Sequence, residues 1–335
     1  MKKKSILFVY VSFQSFVRTD YEILSSEFDV RKYQFKPVKG ILNTGIELVK
    51  QFFFLLISIW KYDSIYIWFA DYHSLLPVLL ARMLGKKSYV VIGGYEVCRM
   101  KQIGYGALCS KFRGFFCIKT MQMSTLSFTV SKYVDRKVKY IAPGSRRELI
   151  PNCVDFIQSA NKKPERENII LTVGLIETQR SFFLKGIDTF IEIARLLPDY
   201  LFIIIGLDKV KLDYLVSGIP ENITIIGKLP HEELPEYYMK ARFYCQLSRS
   251  ESFGVSIAES MFYGCVPIVT HEGGMPELVG DAGYIVPRKP LFISEMITKS
   301  MKKRHEIQAE AKARFFENYS RARRKDLLMN RMSNK

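Results

Sequence analysis

Short strand-like runs alternate with longer helix-like runs along this chain, and that alternation limits the folds open to it. In the first half the strand-like runs are rich in β-branched and aromatic residues, and they are Ser5–Val11, Val30–Phe35, Ser64–Trp68, Ser88–Ile92 and Leu126–Val130. Helix-like runs such as Ile46–Trp60 and Ser74–Leu84 separate them. Alternation of this kind predicts a parallel sheet with helices on both faces.

The same alternation restarts after a polar segment, residues 158–167, which we interpret as a linker. The strand-like runs of the second half are Ile169–Val173, Leu201–Ile205, Ile223–Ile226, Phe243–Leu247, Val266–Val269 and Tyr284–Val286. A chain of 335 residues suits two domains. We therefore predict an α/β protein with two doubly wound, Rossmann-like domains, residues 1–157 and 168–305, that face a cleft at their strand carboxyl ends. Residues 306–335 are helix-like and basic.

The net charge of +17 is unevenly distributed along the chain. Residues 1–155 sum to +13 and residues 301–335 to +7, whereas residues 156–300 sum to −3. A basic half beside a near-neutral half indicates a domain that faces a polyanion, either nucleic acid or an anionic membrane surface. The sequence contains no RNP-type, helix-turn-helix or zinc-finger pattern, so a nucleic-acid-binding protein is kept only as an alternative.

Cysteine and histidine usage argues against a metal centre. The six cysteines form no C-x-x-C pair and no Cys/His cluster, and the chain has only four histidines. We expect reduced, mostly buried thiols in a cytoplasmic protein, and no structural zinc.

The apolar runs are shorter than a membrane span requires. Ile6–Val11 predicts a buried first strand rather than a signal peptide, and Phe52–Trp60 is far below the ~20 residues of a spanning helix. Lys50 and Lys61 flank this second run, which leaves two interpretations, an interfacial helix or a core helix under the sheet. Our hypothesis is a cytoplasmic protein that associates peripherally with the inner face of the membrane.

The stretch Glu251–Glu259 (ESFGVSIAE) places two carboxylates eight residues apart around a Phe-Gly pair. A strand-like run precedes it, and the helix-like run Val255–Tyr263 begins inside it. The first amides of such a helix lack intrahelical partners and bind anions readily. Backbone amides can bind an anionic group, and carboxylates can bind hydroxyls. A sugar nucleotide has both kinds of group.

Several blocks in this order resemble the family-4 retaining glycosyltransferases, which have the GT-B fold. The blocks are Leu149–Asp155, Leu171–Gly174, Lys185–Asp188, Gly227–Leu234, Glu251–Glu259 (the family's E-x7-E motif) and His271–Glu277. The resemblance implies a basic C-terminal helix, residues 306–335, that packs back on an acceptor-binding first domain. It also implies a second domain that binds a nucleotide-sugar donor.

The resemblance assigns roles to individual residues of the second domain. Lys185 should pair with the donor diphosphate, and Glu251 should bind hydroxyls of the donor sugar. Glu259 should bind the ribose hydroxyls, because a carboxylate accepts from a diol. Further donor contacts are expected from Gly174, Ile226, Gly227, Ser252, Phe253, Gly254 and Val255.

Three departures from the family pattern affect the catalytic residues. Leu175 stands where the family usually has an arginine, so Arg180 is the candidate replacement. In the first domain, residues 12–20 replace a glycine-rich loop and offer Arg18 as a phosphate contact. Gly93 stands where many members have a histidine, and Glu96 is the neighbour that could take its role.

Gly94, beside this position, is a further acceptor-side candidate. His73 lies too early in the chain to align with the family's histidine, although it is also kept as an acceptor-side candidate.

The sequence contains no D-x-D motif, which in many glycosyltransferases holds a metal on the diphosphate. We therefore expect metal-independent transfer with no cofactor, in which Lys185, Arg180 and helix N-termini stabilise the leaving group. The resemblance to the family implies that the configuration of the transferred sugar is retained. The predicted partners are a UDP- or GDP-type sugar and a glycan or lipid-linked acceptor of envelope polysaccharide, lipopolysaccharide or glycolipid synthesis. A non-hydrolysing epimerase, a phosphorylase and a catalytically degenerate member of the same fold remain as alternatives.

Overall fold

The structure is a computed structural model that describes residues 3–38, 40–154, 166–216, 218–300 and 304–333. The chain divides into two compact units. The first unit comprises residues 1–152 and 324–335, and the second comprises residues 153–323. Most of the predicted linker, residues 158–167, lies outside the described residues.

The first unit contains a six-stranded sheet in the order β2-β1-β3-β4-β5-β6. Its strands are β1 (Ser5–Tyr10), β2 (Asp29–Gln34), β3 (Ser64–Trp68), β4 (Lys87–Ile92), β5 (Leu126–Thr129) and β6 (Arg147–Leu149). All neighbouring strands pair in parallel. β6 was not predicted, because three residues that include an arginine and a glutamate show no apolar alternation.

Helices connect these strands. They are α1 (Ser15–Glu27), α2 (Ile41–Ser58), α3 (Tyr72–Met83), α4 (Lys111–Met123) and α5 (Lys132–Ile141), with 3₁₀ turns at Ile59–Lys61, Tyr95–Val97, Lys101–Ile103 and Ala107–Cys109. The sequence did not predict α1 or α4. The residue before α1, Gln14, makes no side-chain cap, and α4 contains Gly114, a poor helix former.

The second unit contains another six-stranded parallel sheet, in the order β12-β11-β10-β7-β8-β9. Its strands are β7 (Ile169–Ile176), β8 (Leu201–Leu207), β9 (Ile223–Ile226), β10 (Phe243–Gln246), β11 (Val266–Thr270) and β12 (Tyr284–Val286). The first strand in sequence is therefore central, which is the Rossmann arrangement. The two doubly wound sheets confirm the predicted α/β fold class.

Helices follow the strands of this second sheet in the described part of the chain. They are α6 (Gln179–Lys185), α7 (Ile187–Leu196), α8 (Asp213–Val216), α9 (Leu234–Lys240), α10 (Val255–Phe262), α11 (Met275–Val279), α12 (Pro290–Ser300), α13 (Arg304–Asn318) and α14 (Arg321–Met332). A 3₁₀ turn, His231–Glu233, precedes α9.

The basic segment 306–335 is not the single helix that the sequence led us to expect. α13 belongs to the second unit, where Phe315 packs on Phe262 and Arg314 donates to the carbonyl of Leu278. Residues 324–335 belong to the first unit. The helical segment is interrupted at Tyr319 and Ser320, between α13 and α14.

The remaining expectations concern thiols and membrane spans. All six cysteines are free, and five of them are buried, which confirms the predicted thiols. In the part of the chain that the structure describes, one helical stretch, residues 42–61, is long and apolar enough to cross a membrane. This stretch is longer than the apolar run Phe52–Trp60 noted in the sequence. The buried core helices of soluble proteins meet the same criterion of length and hydropathy.

Candidate functional site

The second sheet has a topological switch point between β7 and β10. From the central β7 the chain proceeds through β8 and β9 on one side, and then through β10, β11 and β12 on the other. Ligands of open α/β sheets bind in the crevice that such a reversal leaves at the strand carboxyl ends. The segments that follow β7 and β10 therefore line the candidate site.

Lys185 and Glu251 meet at this switch point. Lys185 Nζ donates to Glu251 Oε2 at 2.7 Å, although the two residues are 66 positions apart. A capping box between Thr178 and Ser181 begins α6, and Lys185 is the last residue of that helix. The aliphatic part of Lys185 lies beside Gly174, whose Cβ position is 3.7 Å from Lys185 Cδ and Cε. Three predicted site residues thus converge.

Two glycines allow backbone segments to approach this pair closely. Gly186 has φ +74, and a Cβ there would lie 2.0 Å from the carbonyl oxygen of Leu247. Gly273 has φ +73, and its Cβ would lie 1.8 Å from the carbonyl oxygen of Glu251. Both positions therefore require glycine for steric and conformational reasons.

An ion pair supports the segment after β10. The guanidinium of Arg249 donates to both carboxylate oxygens of Asp188, at 2.9 and 2.6 Å, and the Arg249 amide donates to the carbonyl of Leu184. Bidentate pairs of this kind fix orientation as well as distance. Arg249 therefore holds the Glu251 segment against the start of α7. We did not predict this role from the sequence.

The N-terminus of α10 supplies backbone amides near Glu251. Gly254 precedes the helix with φ +97, and no side chain caps it. Phe253 is buried and packs edge-on against Tyr319 at 5.5 Å, whereas Ser252 and Val255 are half-buried. The first helical amides and the dipole of α10 favour an anion at this end.

Glu259 contacts a different set of residues from Glu251. His231 Nε2 lies 2.7 Å from Glu259 Oε1, and the Tyr238 hydroxyl donates to Glu259 Oε2 at 2.9 Å. Burial and the neighbouring Glu259 raise the pKa of Tyr238 well above its usual value, so the hydroxyl stays protonated. The two partners orient the carboxylate and leave two of its four lone-pair sites unused.

His231 and Tyr238 were not among the predicted site residues. A usable signal was present, because His231 lies inside the block 227–234 that the sequence had assigned to the nucleobase. Tyr238 follows it by seven residues on α9. From the sequence, an aromatic residue on such a helix is expected in the hydrophobic core.

The other predicted donor residues are less closely grouped. Ile226 ends β9 half-buried and Gly227 follows it exposed, with the Gly227 carbonyl accepting from the Gly206 amide at 3.2 Å. Arg180 is exposed on α6, and five helical residues place it about 140° around the axis from Lys185. Leu175 is 54% exposed. The structure therefore does not bring Arg180 to Lys185.

The first unit has an unusual backbone at the carboxyl end of β3. Phe69 has φ +71, the only positive value among the described non-glycine residues. For a bulky residue this conformation is strained and is retained where the surroundings impose it. A Cβ at Gly93 would lie 2.4 Å from Phe69 Cε1. The Phe69 ring therefore fills the space in which any side chain at position 93 would begin.

Glu96 ties the ends of β3 and β4 together through three backbone amides. Its carboxylate accepts from Gly93 at 3.0 Å, from Gly94 at 2.7 Å and from Ala70 at 3.3 Å. The side chain is 1% exposed. Burial raises the pKa of Glu96 to about 7, and the amide donors oppose that shift.

The raised pKa predicts a pH-dependent stability of the first unit. Between pH 4.5 and 7, folded Glu96 retains a proton that the unfolded chain has released, so stability falls as the pH rises through this window. The expected loss is on the order of 3 kcal/mol. Denaturant unfolding at pH 5 and pH 8 measures it.

Glu96→Gln should flatten this profile because the titrating group is removed. Glu22→Gln, which removes an exposed carboxyl of the same unit, should leave the profile unchanged. Parallel profiles for wild type and Glu96→Gln would contradict the assignment.

The remaining acceptor-side candidates, His73 and Arg18, have contacts with other residues. His73 is buried in α3, where Nε2 is 3.0 Å from the carbonyl oxygen of Trp68, and burial lowers its pKa. The structure thus gives His73 a packing environment rather than an open site. Arg18 is exposed on α1 near the Phe13 ring.

An ion pair of the first unit, Arg113 with Asp71, was also not predicted. Arg113 donates through Nε to both oxygens of Asp71, at 2.9 and 3.0 Å, and through Nη1 to the Tyr95 hydroxyl at 3.1 Å. It links α4 to the N-terminus of α3 and to the turn after Gly94. Within the described ranges, no group of three or more His, Cys, Asp or Glu side chains could hold a metal ion.

Curated relatives match this chain over part of its length. The chain is 36% identical over 96 residues to the O-antigen chain mannosyltransferase B of Escherichia coli, covering 28% of this chain and 25% of that protein. It is 28% identical over 149 residues to the sulfoquinovosyl transferase SQD2 of Arabidopsis thaliana, covering 43% and 28%. The chain therefore matches less than a third of the length of these relatives.

Solved structures match the whole chain. The sucrose-phosphate synthase of Thermosynechococcus elongatus superposes with a TM-score of 0.78 at 15% identity, over 99% of this chain and 98% of that one. Anabaena HepE in complex with UDP-glucose gives a TM-score of 0.72 at 13% identity, over 98% and 99%. These matches show the GT-B fold that the sequence predicted.

The family comparison rests on half of the chain. Residues 154–321, which include the Lys185–Glu251 pair and Glu259, match the model of the family described as glycosyl transferases group 1. The chain belongs to the glycosyl transferases group 1 family.

Proposed function

We propose that this protein transfers a sugar from a nucleotide-diphosphate donor to a hydroxyl of a glycan or lipid-linked acceptor. The observation on which the proposal rests is the Lys185–Glu251 pair at the switch point of the second sheet. A cation and a carboxylate at one crevice match the two ends of a donor sugar diphosphate. The ligand of HepE, UDP-glucose, is a donor of this class.

The diphosphate is proposed to bind between Lys185 and the N-terminus of α10. The Lys185 ammonium is a compact charge suited to phosphate, and the α10 amides and dipole add to it. Glu251 then accepts from hydroxyls of the transferred sugar. Arg180 lies on another side of α6 from Lys185, and this proposal assigns it no role.

Glu259 is proposed to bind the ribose diol. His231 and Tyr238 each occupy one of its oxygens and hold the carboxylate in one orientation. The Glu259 side chain is 6% exposed, so little of its surface remains for a ligand to contact. The base is proposed to lie beside Ile226 and Gly227.

The proposed reaction is a metal-independent substitution with retention at the anomeric carbon, as in family 4. The bond from that carbon to the diphosphate oxygen breaks, and the bond to the acceptor oxygen forms on the same face. The acceptor proton moves to the departing phosphate oxygen, whose charge Lys185 and the α10 amides stabilise.

The acceptor is proposed to bind the first unit, near the carboxyl ends of β3 and β4. Glu96 holds these ends in register, and the strained Phe69 lies between them. The relative named O-antigen chain mannosyltransferase B supports a glycan acceptor.

Thermal-shift screening with UDP, GDP, ADP and CMP tests the donor site. A nucleotide at 100 times its Kd stabilises the native state by about 2.7 kcal/mol. For a unit of this size we expect the melting temperature to rise by about 5–10 °C with at least one nucleoside diphosphate. If none of the four nucleotides raises the melting temperature at millimolar concentration, the proposed donor site is wrong.

Glu259→Gln should abolish most of this shift, because the amide replaces one acceptor oxygen with a donor facing His231 or Tyr238. Glu236→Gln is the matched control, since Glu236 is exposed on α9 and pairs with Lys240. An equal nucleotide shift in both variants would contradict the ribose assignment.

A further inference from the structure

We infer that the first unit docks on an anionic phospholipid bilayer through two adjoining features, an apolar stripe on α2 and a basic pocket at the amino-terminal edge of the sheet. This inference is independent of the proposed function, in which the acceptor binds at the other edge of the sheet, near the carboxyl ends of β3 and β4. It assigns the lipid phosphate to the pocket and the acyl boundary to the stripe.

The α2 stripe consists of exposed apolar residues at helical spacing. Its members are Leu42, Ile46, Val49, Phe53 and Leu56 on α2 and Trp60 in the 3₁₀ turn that follows it, at intervals of four, three, four, three and four residues. They are 45% to 85% exposed, and the neighbouring Ile57 is 73% exposed. Such intervals place them along one side of a helix. An apolar side of this length normally marks an interaction site.

The opposite side of α2 packs on its own unit. Gln51, Leu55 and Ile59 are buried, and Gln51 donates to the carbonyl of His73 at 2.9 Å. The Phe54 ring stacks on Tyr33 at 4.4 Å. A helix that packs on the protein from Gln51 onward cannot be surrounded by lipid there, so α2 is placed to lie in the interface rather than to span the bilayer.

The basic pocket has a volume of about 470 Å³ and is lined by four cationic residues, Arg82, Lys86, Lys87 and Arg146. Its remaining lining residues are Gly85, Gln122, Met123, Ser124, Thr125 and Gly144, so none is acidic. Arg82 and Arg146 are exposed at its rim. A cationic lining without a lining carboxylate suits a phosphate group, and Arg82 and Arg146 are exposed cations that could contact it.

The pocket and the stripe adjoin each other. Lys86 donates to the carbonyl of Trp60 at 3.3 Å and also to that of Tyr62. Trp60 is the last member of the stripe. Lys86 precedes β4, and Lys87 is the first residue of that strand. The two features therefore form one surface, with a tryptophan at the boundary, where its amphipathic ring suits the headgroup region.

Charge favours a bilayer over a second copy of this chain. α2 contains one acidic residue, Glu47, which pairs with Lys50 at 2.7 Å, and Lys61 follows the helix. A two-fold dimer through this surface would place the pocket cations of both copies in one interface, with no acidic lining residue to offset them. An anionic bilayer supplies opposite charge to the pocket and an apolar boundary to the stripe.

Flotation of the full chain with liposomes tests the inference. We expect binding to phosphatidylcholine vesicles that contain 30% phosphatidylglycerol, and at least tenfold weaker binding to phosphatidylcholine alone. Phe53→Ser/Ile57→Ser and Arg82→Glu/Arg146→Glu should each reduce binding to the anionic vesicles at least tenfold. Inorganic phosphate, added at constant ionic strength, should compete only weakly, because it does not engage the stripe.

Matched variants on the second unit control for apolarity and charge. Val210→Ser/Leu291→Ser removes two exposed apolar residues, and Lys209→Glu/Lys299→Glu makes the same charge change as the pocket variant. Both should float as wild type. Undiminished flotation of the stripe and pocket variants would overturn the inference, as would a wild-type dimer that Phe53→Ser/Ile57→Ser converts to a monomer.

Nucleotide thermal shifts separate this inference from the proposed function. All these variants should retain the wild-type shift, because none of the substituted residues contacts Lys185, Glu251 or Glu259. Loss of flotation with a preserved shift supports the docking surface, whereas flotation without any nucleotide shift would contradict only the donor site.

Discussion

Replacing Arg324 with alanine should lower the free energy of unfolding of the first unit by about 3–5 kcal/mol. Arg324 is 2% exposed, and its Nε and Nη2 donate to the two oxygens of Asp20 at 2.5 and 2.7 Å. Asp20 is fully buried and also accepts from the Tyr66 hydroxyl at 2.6 Å. Without the guanidinium, a buried carboxylate would lose its counter-charge.

The same substitution would leave two more groups without a donor. Arg324 Nη1 donates to the carbonyls of Ile150 and Pro151, at 3.0 and 2.6 Å. Leu328 and Met332 are buried on the same side of α14, at intervals of four residues. Arg324 therefore connects the end of the chain to the interior of the first unit, and its loss should also weaken the docking of α14.

Chemical denaturation monitored by circular dichroism measures this effect. Arg323→Ala is the matched control, because its side chain is exposed on the same helix, and it should change stability by less than about 0.5 kcal/mol. Asp20→Asn/Arg324→Met should lose less than the sum of the single substitutions, since no charge is left buried. Equal stability of Arg324→Ala and Arg323→Ala would refute the role of the ion pair.

Replacing Lys185 with alanine should reduce kcat about 10²–10³-fold, the effect of removing one donor that stabilises a leaving group. The Lys185 ammonium is a cation at the switch point of the second sheet, 2.7 Å from Glu251. Because charge on the diphosphate grows as the sugar departs, its loss should affect the transition state more than the bound donor. We therefore expect a large change in kcat and a smaller one in KM.

Steady-state release of the nucleoside diphosphate, with the donor identified by thermal shift, measures these constants. Lys209→Ala removes an exposed lysine of the same unit and should retain wild-type kcat. Lys185→Met keeps the aliphatic contact beside Gly174 and should lose as much activity as Lys185→Ala. Activity of Lys185→Met within threefold of wild type would show that the lysine contributes packing rather than charge.

Local patterns predicted the fold class and part of the site. β-Branched runs separated by helical runs indicated both sheets, because strand and helix periodicities are properties of neighbouring residues. They did not indicate α1, which lacks a capping side chain, or β6, which is only three residues long. Ordered sequence blocks also identified Lys185 and Glu251, and the structure brings these two residues together.

Contacts between distant residues depended on tertiary packing. No local pattern indicates that His231 and Tyr238 orient Glu259, or that Phe69 occupies the space beside Gly93. The sequence suggested Arg180 as a second cation, but the helical geometry of α6 turns it away from Lys185.

The sequence by itself determined that this chain forms two doubly wound α/β sheets. It also identified Lys185, Glu251 and Glu259 as candidate site residues of the second domain. Only the tertiary structure decided which groups those residues contact, and it joined Arg324 to Asp20 across 304 positions. It also decided which side of α2 is buried, since the apolar run Phe52–Trp60 suits a core helix and an interfacial one equally. The physical reason is that periodicity specifies secondary structure locally, whereas burial and charge pairing depend on which elements pack together.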